Sequence, residues 1–297
     1  MNTLADAPVV VHVDAYTGPE IAKKALAAGE NKAKLPFLPT FILGIMAGAY
    51  IAFAAVLFTL VTTDSGLGFG MMRLVGGLVF CLGLILVVVG GAELFTGNTL
   101  IIMAWLSGRV GTGKLLRNWV IVYLGNLVGS LLVVGLVFAS GHWGMDKNAV
   151  GATAISIATV KVSHTWGATF ASGILCNALV CLAVWLCYGA RTTTDKIMAI
   201  LFPITAFVAC GFEHCVANMY FIPAGIFAAL DERFVDALPA GASTAALTWS
   251  NFINKNLIPA TLGNIVGGAL MVGAVYWVAY ILPEHWREAQ ARKEQGK

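Results

Sequence analysis

Two apolar runs, residues 74–106 and 197–230, are each longer than one membrane crossing requires, and each is interrupted by the same kind of polar insertion. A bilayer core of about 30 Å takes roughly 20 helical residues. The first insertion reads Gly91-Ala-Glu93-Leu-Phe95-Thr96-Gly97-Asn98 and the second Gly211-Phe-Glu213-His214-Cys-Val-Ala-Asn218. An ionisable group in hydrocarbon costs roughly 2.5–3.5 kcal/mol on insertion scales. Two of them at matching places point to a pathway through a membrane. A long segment interrupted near its middle is expected where a helix unwinds, leaving backbone N–H and C=O groups that line a cavity or are buried in protein. Gly90, Gly91 and Gly97 in one run, and Gly211, Pro223 and Gly225 in the other, permit such breaks.

Hydrophobic residues make up 59% of the 297 positions and charged residues 11%, which excludes an ordinary soluble domain. Six spans are expected, at about 39–61, 74–106, 119–139, 167–189, 197–230 and 256–282, giving an all-α membrane protein. Together they form a channel domain over 35–283, between an N-terminal segment (1–34) and a tail (284–297). Asp6, Asp14, Glu20 and four lysines occupy residues 1–34, a pattern with no removable signal peptide. Lys23, Lys24, Lys32, Lys34, Arg109, Lys114, Arg117, Arg191, Lys196, Arg287, Arg292, Lys293 and Lys297 fall on one side. Only Arg73, Lys147, Lys161, Arg233 and Lys255 fall on the other. Both termini are therefore expected in the cytoplasm. Thr17-Gly-Pro-Glu20 reads as a capping box opening an amphipathic helix over about 18–33 that lies at the cytoplasmic interface.

The two halves repeat. Asn118-Trp-Val-Ile-Val-Tyr-Leu-Gly-Asn126-Leu-Val-Gly129 aligns with Asn256-Leu-Ile-Pro-Ala-Thr-Leu-Gly-Asn264-Ile-Val-Gly267 at an offset of 138, and the Gly-x-Glu triplets align at an offset of 120. Three spans per half is an odd number, so the halves enter the membrane from opposite sides. The expectation is an inverted 3+3 repeat with spans 2 and 5 discontinuous. Gly125 and Gly129, like Gly263 and Gly267, sit four apart on one helix face and allow close helix approach, while Asn126 and Asn264 read as interhelical hydrogen-bond glue.

His214 is the one histidine in an apolar span, a candidate proton or hydrogen-bond donor at the narrowest point. Thr96 offers it a hydroxyl if the two interruptions face each other. Ionised glutamates in a pore would repel anions, so Glu93 and Glu213, with Asn98 and Asn218, are assigned a structural role, the carboxylates accepting from backbone N–H groups freed at the breaks. Phe80, Leu84, Phe95 and Phe207 fall within the broken spans and read, one by one, as ordinary lipid- or core-facing hydrophobes. Lys161 sits in the connection before span 4, either a solvated loop lysine or a lure for anions. The six cysteines lie in apolar segments with no C-x-x-C pair and read as small buried side chains. No metal site, cofactor or nucleic-acid partner is expected. An enzyme would need a nucleophile–base pair or an H-E-x-x-H site, and neither is found. A neutral-solute channel of the aquaporin type is the alternative from another class, but neither half contains Asn-Pro-Ala.

With these motifs in order, the chain resembles the formate/nitrite transporter family, and within it the formate channels, over nearly its whole length. The resemblance implies an aquaporin-like fold of six helices in the inner membrane, a homopentamer with one pore per subunit embedded in lipid, and passage of formate or a similar small anion. Nitrite and hydrosulfide are the alternatives within the family. It further implies that His214 is the central pore histidine and Thr96 its partner. Phe80 and Phe207 would form the outer constriction, and Leu84, Phe95 and Val180 the inner one. Lys161 and Asn177 would lie near the outer vestibule and on the pore wall.

Overall fold

The computed structural model describes residues 14–284 and Trp286. Residues 1–13 of the N-terminal segment, and the tail arginines and lysines beyond residue 286, lie outside the described residues. Every regular element described is helical. Among the described residues, six helices are long and apolar enough to cross a membrane: α2 (Phe37–Thr62), α3 (Phe69–Gly90), α5 (Thr112–Ala139), α7 (Trp166–Gly189), α8 (Thr193–Cys210) and α10 (Trp249–Glu284). Three shorter apolar helices join them: α4 (Phe95–Leu106), α6 (Ala149–Ser163) and α9 (Cys215–Ala228). The remaining long element is α1 (Gly18–Lys34).

Several boundaries differ from the sequence expectation. Hydropathy marks only apolar residues, so it starts α5 at about 119 and α10 at about 256, whereas each helix extends one or two polar turns earlier. The runs 74–106 and 197–230 each resolve into two helices separated by the non-helical residues 91–94 and 211–214. Pro223, Gly225 and Gly97, expected to help unwind the chain, lie inside helical segments instead. α6 went unrecognised: 15 residues rise only about 22 Å, short of a full crossing. Lys161 is thus a helical residue, not a loop lysine.

α1 also departs from expectation. Glu20 accepts from the Thr17 N–H at 2.8 Å, closing the N-terminal turn. However, the apolar face of Ile21, Ala22, Ala25, Leu26, Gly29 and Ala33 is buried in the protein rather than laid on an interface. Gly29 sits against Ile101 and Ala104 of α4. That docking carries Lys32 to the site described below.

Two helix pairs define the frame, and glycine sets their separation. At the α2–α5 crossing, a Cβ on Gly125 would meet the Phe41 carbonyl at 2.8 Å, and one on Gly129 would collide with the Ile45 carbonyl. The α7–α10 crossing repeats this, with Gly263 against the Phe170 carbonyl and Gly267 against the Ile174 carbonyl. Because the obstructing atoms are backbone, a methyl group can be accommodated only by separating the helices. Gly135, lower on α5, has nothing within 4 Å. Gly129→Ala is expected to lower the apparent melting temperature in detergent by about 4–8 °C, the equivalent of about 2 kcal/mol of overpacking. Gly135→Ala should leave it unchanged, as read by a dye-free thermal unfolding scan.

Candidate functional site

The site begins where two helices stop. α3 ends at Gly91 (φ 78°) and α8 at Gly211 (φ 77°), both left-handed, a backbone state that glycine adopts without steric cost. Each chain then runs extended for three residues before helix resumes at Phe95 or Cys215. In an apolar surround such interruptions leave main-chain groups that must find partners. Asn126 meets that need for the first: its Oδ1 accepts from the Phe95 N–H at 2.9 Å, and its Nδ2 donates to the carbonyls of Gly44 (2.7 Å) and Glu93 (2.9 Å). Asn264 does the same for the second, accepting from the Cys215 N–H at 2.9 Å and donating to Gly173 (2.8 Å) and Glu213 (2.9 Å). The Leu-Gly-Asn repeat thus exists to pin the two interruptions.

The carboxylates have a different task from the one expected. Glu93 accepts from Lys32 Nζ at 2.6 Å and Asn98 Nδ2 at 2.6 Å, and Asn98 also donates to Asn118 Oδ1 at 3.0 Å. Glu213 accepts from Lys161 Nζ at 3.0 Å, Asn218 Nδ2 at 2.5 Å and Asn256 Nδ2 at 2.9 Å. The asparagines, whose carbonyl oxygens are uncharged and short-reaching, take the backbone N–H groups; the carboxylates take ammonium and amide donors, which neutralise a buried charge far better. Asn118 and Asn256 fasten the lysines' own helices, donating to the carbonyls of Lys32 (3.1 Å) and Lys161 (3.0 Å). α6 therefore stands to the second half as α1 stands to the first.

Between these networks the two interruptions meet. Thr96 Oγ1 and His214 Nε2 lie 3.0 Å apart, both residues at most 2% exposed. His214 is also the N-cap of α9: its Nδ1 accepts from the Ala217 N–H at 3.0 Å. An Nδ1 that accepts carries no proton, so the neutral ring holds its hydrogen on Nε2, directed at Thr96. His214 lines two of three cavities that adjoin one another, and Thr96, behind it, lines none of the three. One, of about 290 Å³, is walled by Lys32, Glu93, Leu84 and Leu94. Another, of about 440 Å³, is walled by Lys161, Glu213, His214, Phe80 and Phe207. A chamber of about 10 Å³ shares Leu84 and Leu94 with the first and Phe80, Phe207 and His214 with the second. Phe80 and Phe207 stand edge to face with centroids 6.0 Å apart, and Val180 completes the chamber wall. The chamber holds about one water-sized group.

Three site expectations need correction. Phe95 is absent from all three cavities; it packs edge-on to Tyr123 (4.9 Å) and Trp119 (6.2 Å), beside a lateral groove. Leu94, one residue earlier and in the N-cap place that His214 fills in the other half, lines the passage instead, because consecutive residues entering a helix face different ways. Asn177 does not line the passage: it is fully buried, donating to the carbonyls of Thr96 (3.2 Å) and Asn264 (2.6 Å), and so tethers Thr96. Lys161 is ion-paired rather than isolated. Lys32, which the sequence reading counted only as one of the basic residues of its side, has a role visible only when α1 folds back 61 residues along the chain to Glu93.

Buried charge networks at the ends of a constricted, apolar-walled passage, within a bundle of six membrane-crossing helices, define a polytopic membrane transport protein. The chain belongs to the formate/nitrite transporter family, whose model matches residues 19–278. It is 46% identical over 265 residues to the formate channel FocA of Escherichia coli K12, covering 88% of this chain and 93% of that one. Its identity to FocA of Haemophilus influenzae is 48% over 248 residues, covering 81% and 86%. A solved pentameric formate channel with formate bound superposes with a TM-score of 0.76 at 45% identity, over 82% of this chain and 96% of that one.

Asn264→Ala strands the Cys215 N–H and two carbonyls, each costing about 1–3 kcal/mol when buried. The expected result is a fall of at least about 6 °C in apparent melting temperature and faster amide hydrogen exchange at Cys215. Asn254→Ala, at an exposed position of α10, should change neither.

Proposed function

We propose that the protein is a membrane channel for formate and related small monovalent anions, in which His214 supplies the decisive donor at the centre of the passage. The observation that carries this reading is His214 in the wall of the chamber that joins the two larger cavities, its Nε2 3.0 Å from Thr96 Oγ1. The names of its relatives and the formate-bound pentamer support the substrate and a homopentamer. In this reading α3 with α4, and α8 with α9, are single spans broken by four residues. The chain then divides into two inverted halves of an aquaporin-like fold, a division supported by the matching roles of Asn126 and Asn264. With both termini in the cytoplasm of an inner-membrane protein, the Glu93 cavity opens inward and the Glu213 cavity outward.

An anion moving from either cavity must shed water to pass the Phe80–Phe207 or Leu84–Leu94 walls, where a bare charge is prohibitive. The N-terminal ends of α4 and α9 meet near the chamber and carry partial positive charge. Lys161, with ammonium hydrogens beyond the one given to Glu213, offers donors at the outer entrance. At the chamber the anion takes the Nε2 hydrogen from Thr96, whose hydroxyl then turns to donate as well. Because Nδ1 is held as an acceptor by the Ala217 N–H, the resting ring has one proton only and acts by hydrogen bonding; outright protonation of the anion would require breaking that cap first. Asn177 keeps Thr96 in register, and Glu93, Glu213, Asn98 and Asn218 hold the frame.

A hydrogen bond to a charged group is worth about 1.5–3 kcal/mol, so His214→Phe should slow formate flux into proteoliposomes by about tenfold to a hundredfold. An unchanged rate and pH profile would contradict the assignment. Competition by nitrite, hydrosulfide, acetate and lactate across about pH 5–8 ranks the anions by the same assay.

A further inference from the structure

The lysines beside each cavity are a poor source of net attraction for an anion, because each is matched by a carboxylate: Lys32 by Glu93 at 2.6 Å and Lys161 by Glu213 at 3.0 Å. A Lys–Glu pair presents an anion with a dipole and no net charge. The attraction must come from an unmatched cation, and each large cavity has one in its wall. In the Glu93 cavity it is Lys196, whose ammonium has no carboxylate partner among the described residues. In the Glu213 cavity it is Arg73.

Arg73 is the better built of the two. Half-buried on the first turns of α3, it reaches across to α8, donating from Nε to the Ala209 carbonyl at 2.9 Å and from Nη2 to the Val208 carbonyl at 2.6 Å. Its guanidinium lies against Gly211, where a Cβ would stand 2.9 Å from Nη2. α8 thus ends with its carbonyls, the negative pole of its dipole, at the wall of the very cavity an anion must enter. Left bare, that pole would repel the anion. Arg73 covers it and reverses its sign. A guanidinium has five N–H donors; two are used on carbonyls, so three have no protein acceptor among the described residues. A planar fork with free donors suits a carboxylate or another small oxyanion.

We propose that Arg73 is the capture residue for the anion at the Glu213 cavity: it neutralises the C-terminal pole of α8 and presents free N–H donors that hold the anion before it passes Phe80 and Phe207. This rests on the channel reading above. It assigns the long-range attraction to Arg73 and leaves Lys161 as a local donor tied to Glu213.

The test is initial formate influx into proteoliposomes of the full chain, at formate well below saturation. Ionic strength is raised with a salt of an impermeant anion from about 10 mM to about 1 M, which shortens the screening length from about 30 Å to about 3 Å. Arg73→Gln should be about tenfold slower than wild type at low salt, in line with charge-steered entry, and should converge on it at high salt. Arg73→Lys, which keeps the charge but not the planar fork, should keep the wild-type salt slope at a lower rate. Equal rates for wild type and Arg73→Gln at low salt would overturn the proposal. So would a deficit that persists unchanged at high salt, since that marks Arg73 as a helix cap alone. Where Arg73→Gln does not fold, Arg73→Lys decides: loss of the salt slope contradicts charge capture, and its retention supports it. Wild type that conducts no formate above protein-free vesicles would instead sink the channel reading, and the capture role with it.

Discussion

Stopping a helix in an apolar interior is the constraint from which the rest of this structure follows. Each stop frees main-chain groups, and at each one side-chain amide, Asn126 or Asn264, ties the start of the new helix and two carbonyls with three hydrogen bonds. An amide is the right group because it both donates and accepts: its oxygen takes the N–H at the start of the new helix, while its nitrogen reaches carbonyls on two other segments. The glycine crossings serve the same end, since Gly125 and Gly263 let α5 and α10 approach closely enough for their asparagines to reach.

The carboxylates extend this frame outward. Glu93 and Glu213 each draw a lysine from a helix distant in sequence, and the pairing docks α1 and α6 against the core. Buried ion pairs are weak contributors to net stability, but removing one partner leaves an uncompensated charge and is costly. Their value here is positional: they fix which helix closes each cavity. The same bookkeeping of charge is what singles out Arg73 and Lys196.

Much of the frame was legible in the sequence. The twin Gly-x-Glu insertions mark where helix stops; the Leu-Gly-Asn repeat reads in sequence as interhelical hydrogen-bond glue, and its grip on the Phe95 and Cys215 N–H groups is visible only in the fold. The facing of Thr96 and His214 was stated as a condition, and the 3.0 Å contact meets it. What stayed hidden depended on contacts remote in sequence or on side-chain direction within one turn. Lys32 and Glu93 meet only because α1 doubles back, and no local pattern announces it. α6 escaped because it is too short for a membrane crossing and because Lys161 lies near its end. Leu94 and Phe95 are both apolar neighbours at a helix start; which of them faces the passage is decided by the geometry of the N-cap, where His214 offers the only cue. Glu93 and Glu213 accept from lysines rather than from freed backbone N–H groups, and composition does not distinguish a backbone donor from a lysine arriving from elsewhere.

The account turns on a neutral His214 ring with its hydrogen on Nε2, set there by the Ala217 cap and offered to whatever occupies the chamber. Nitrogen-15 NMR of histidine-labelled protein in lipid, with His214→Phe to assign the resonance, measures this directly. The account predicts an unprotonated Nδ1 and a protonated Nε2 near pH 7, with the Nε2 signal alone shifting strongly as formate is added. A hydrogen on Nδ1, or a doubly protonated ring at rest, would contradict it.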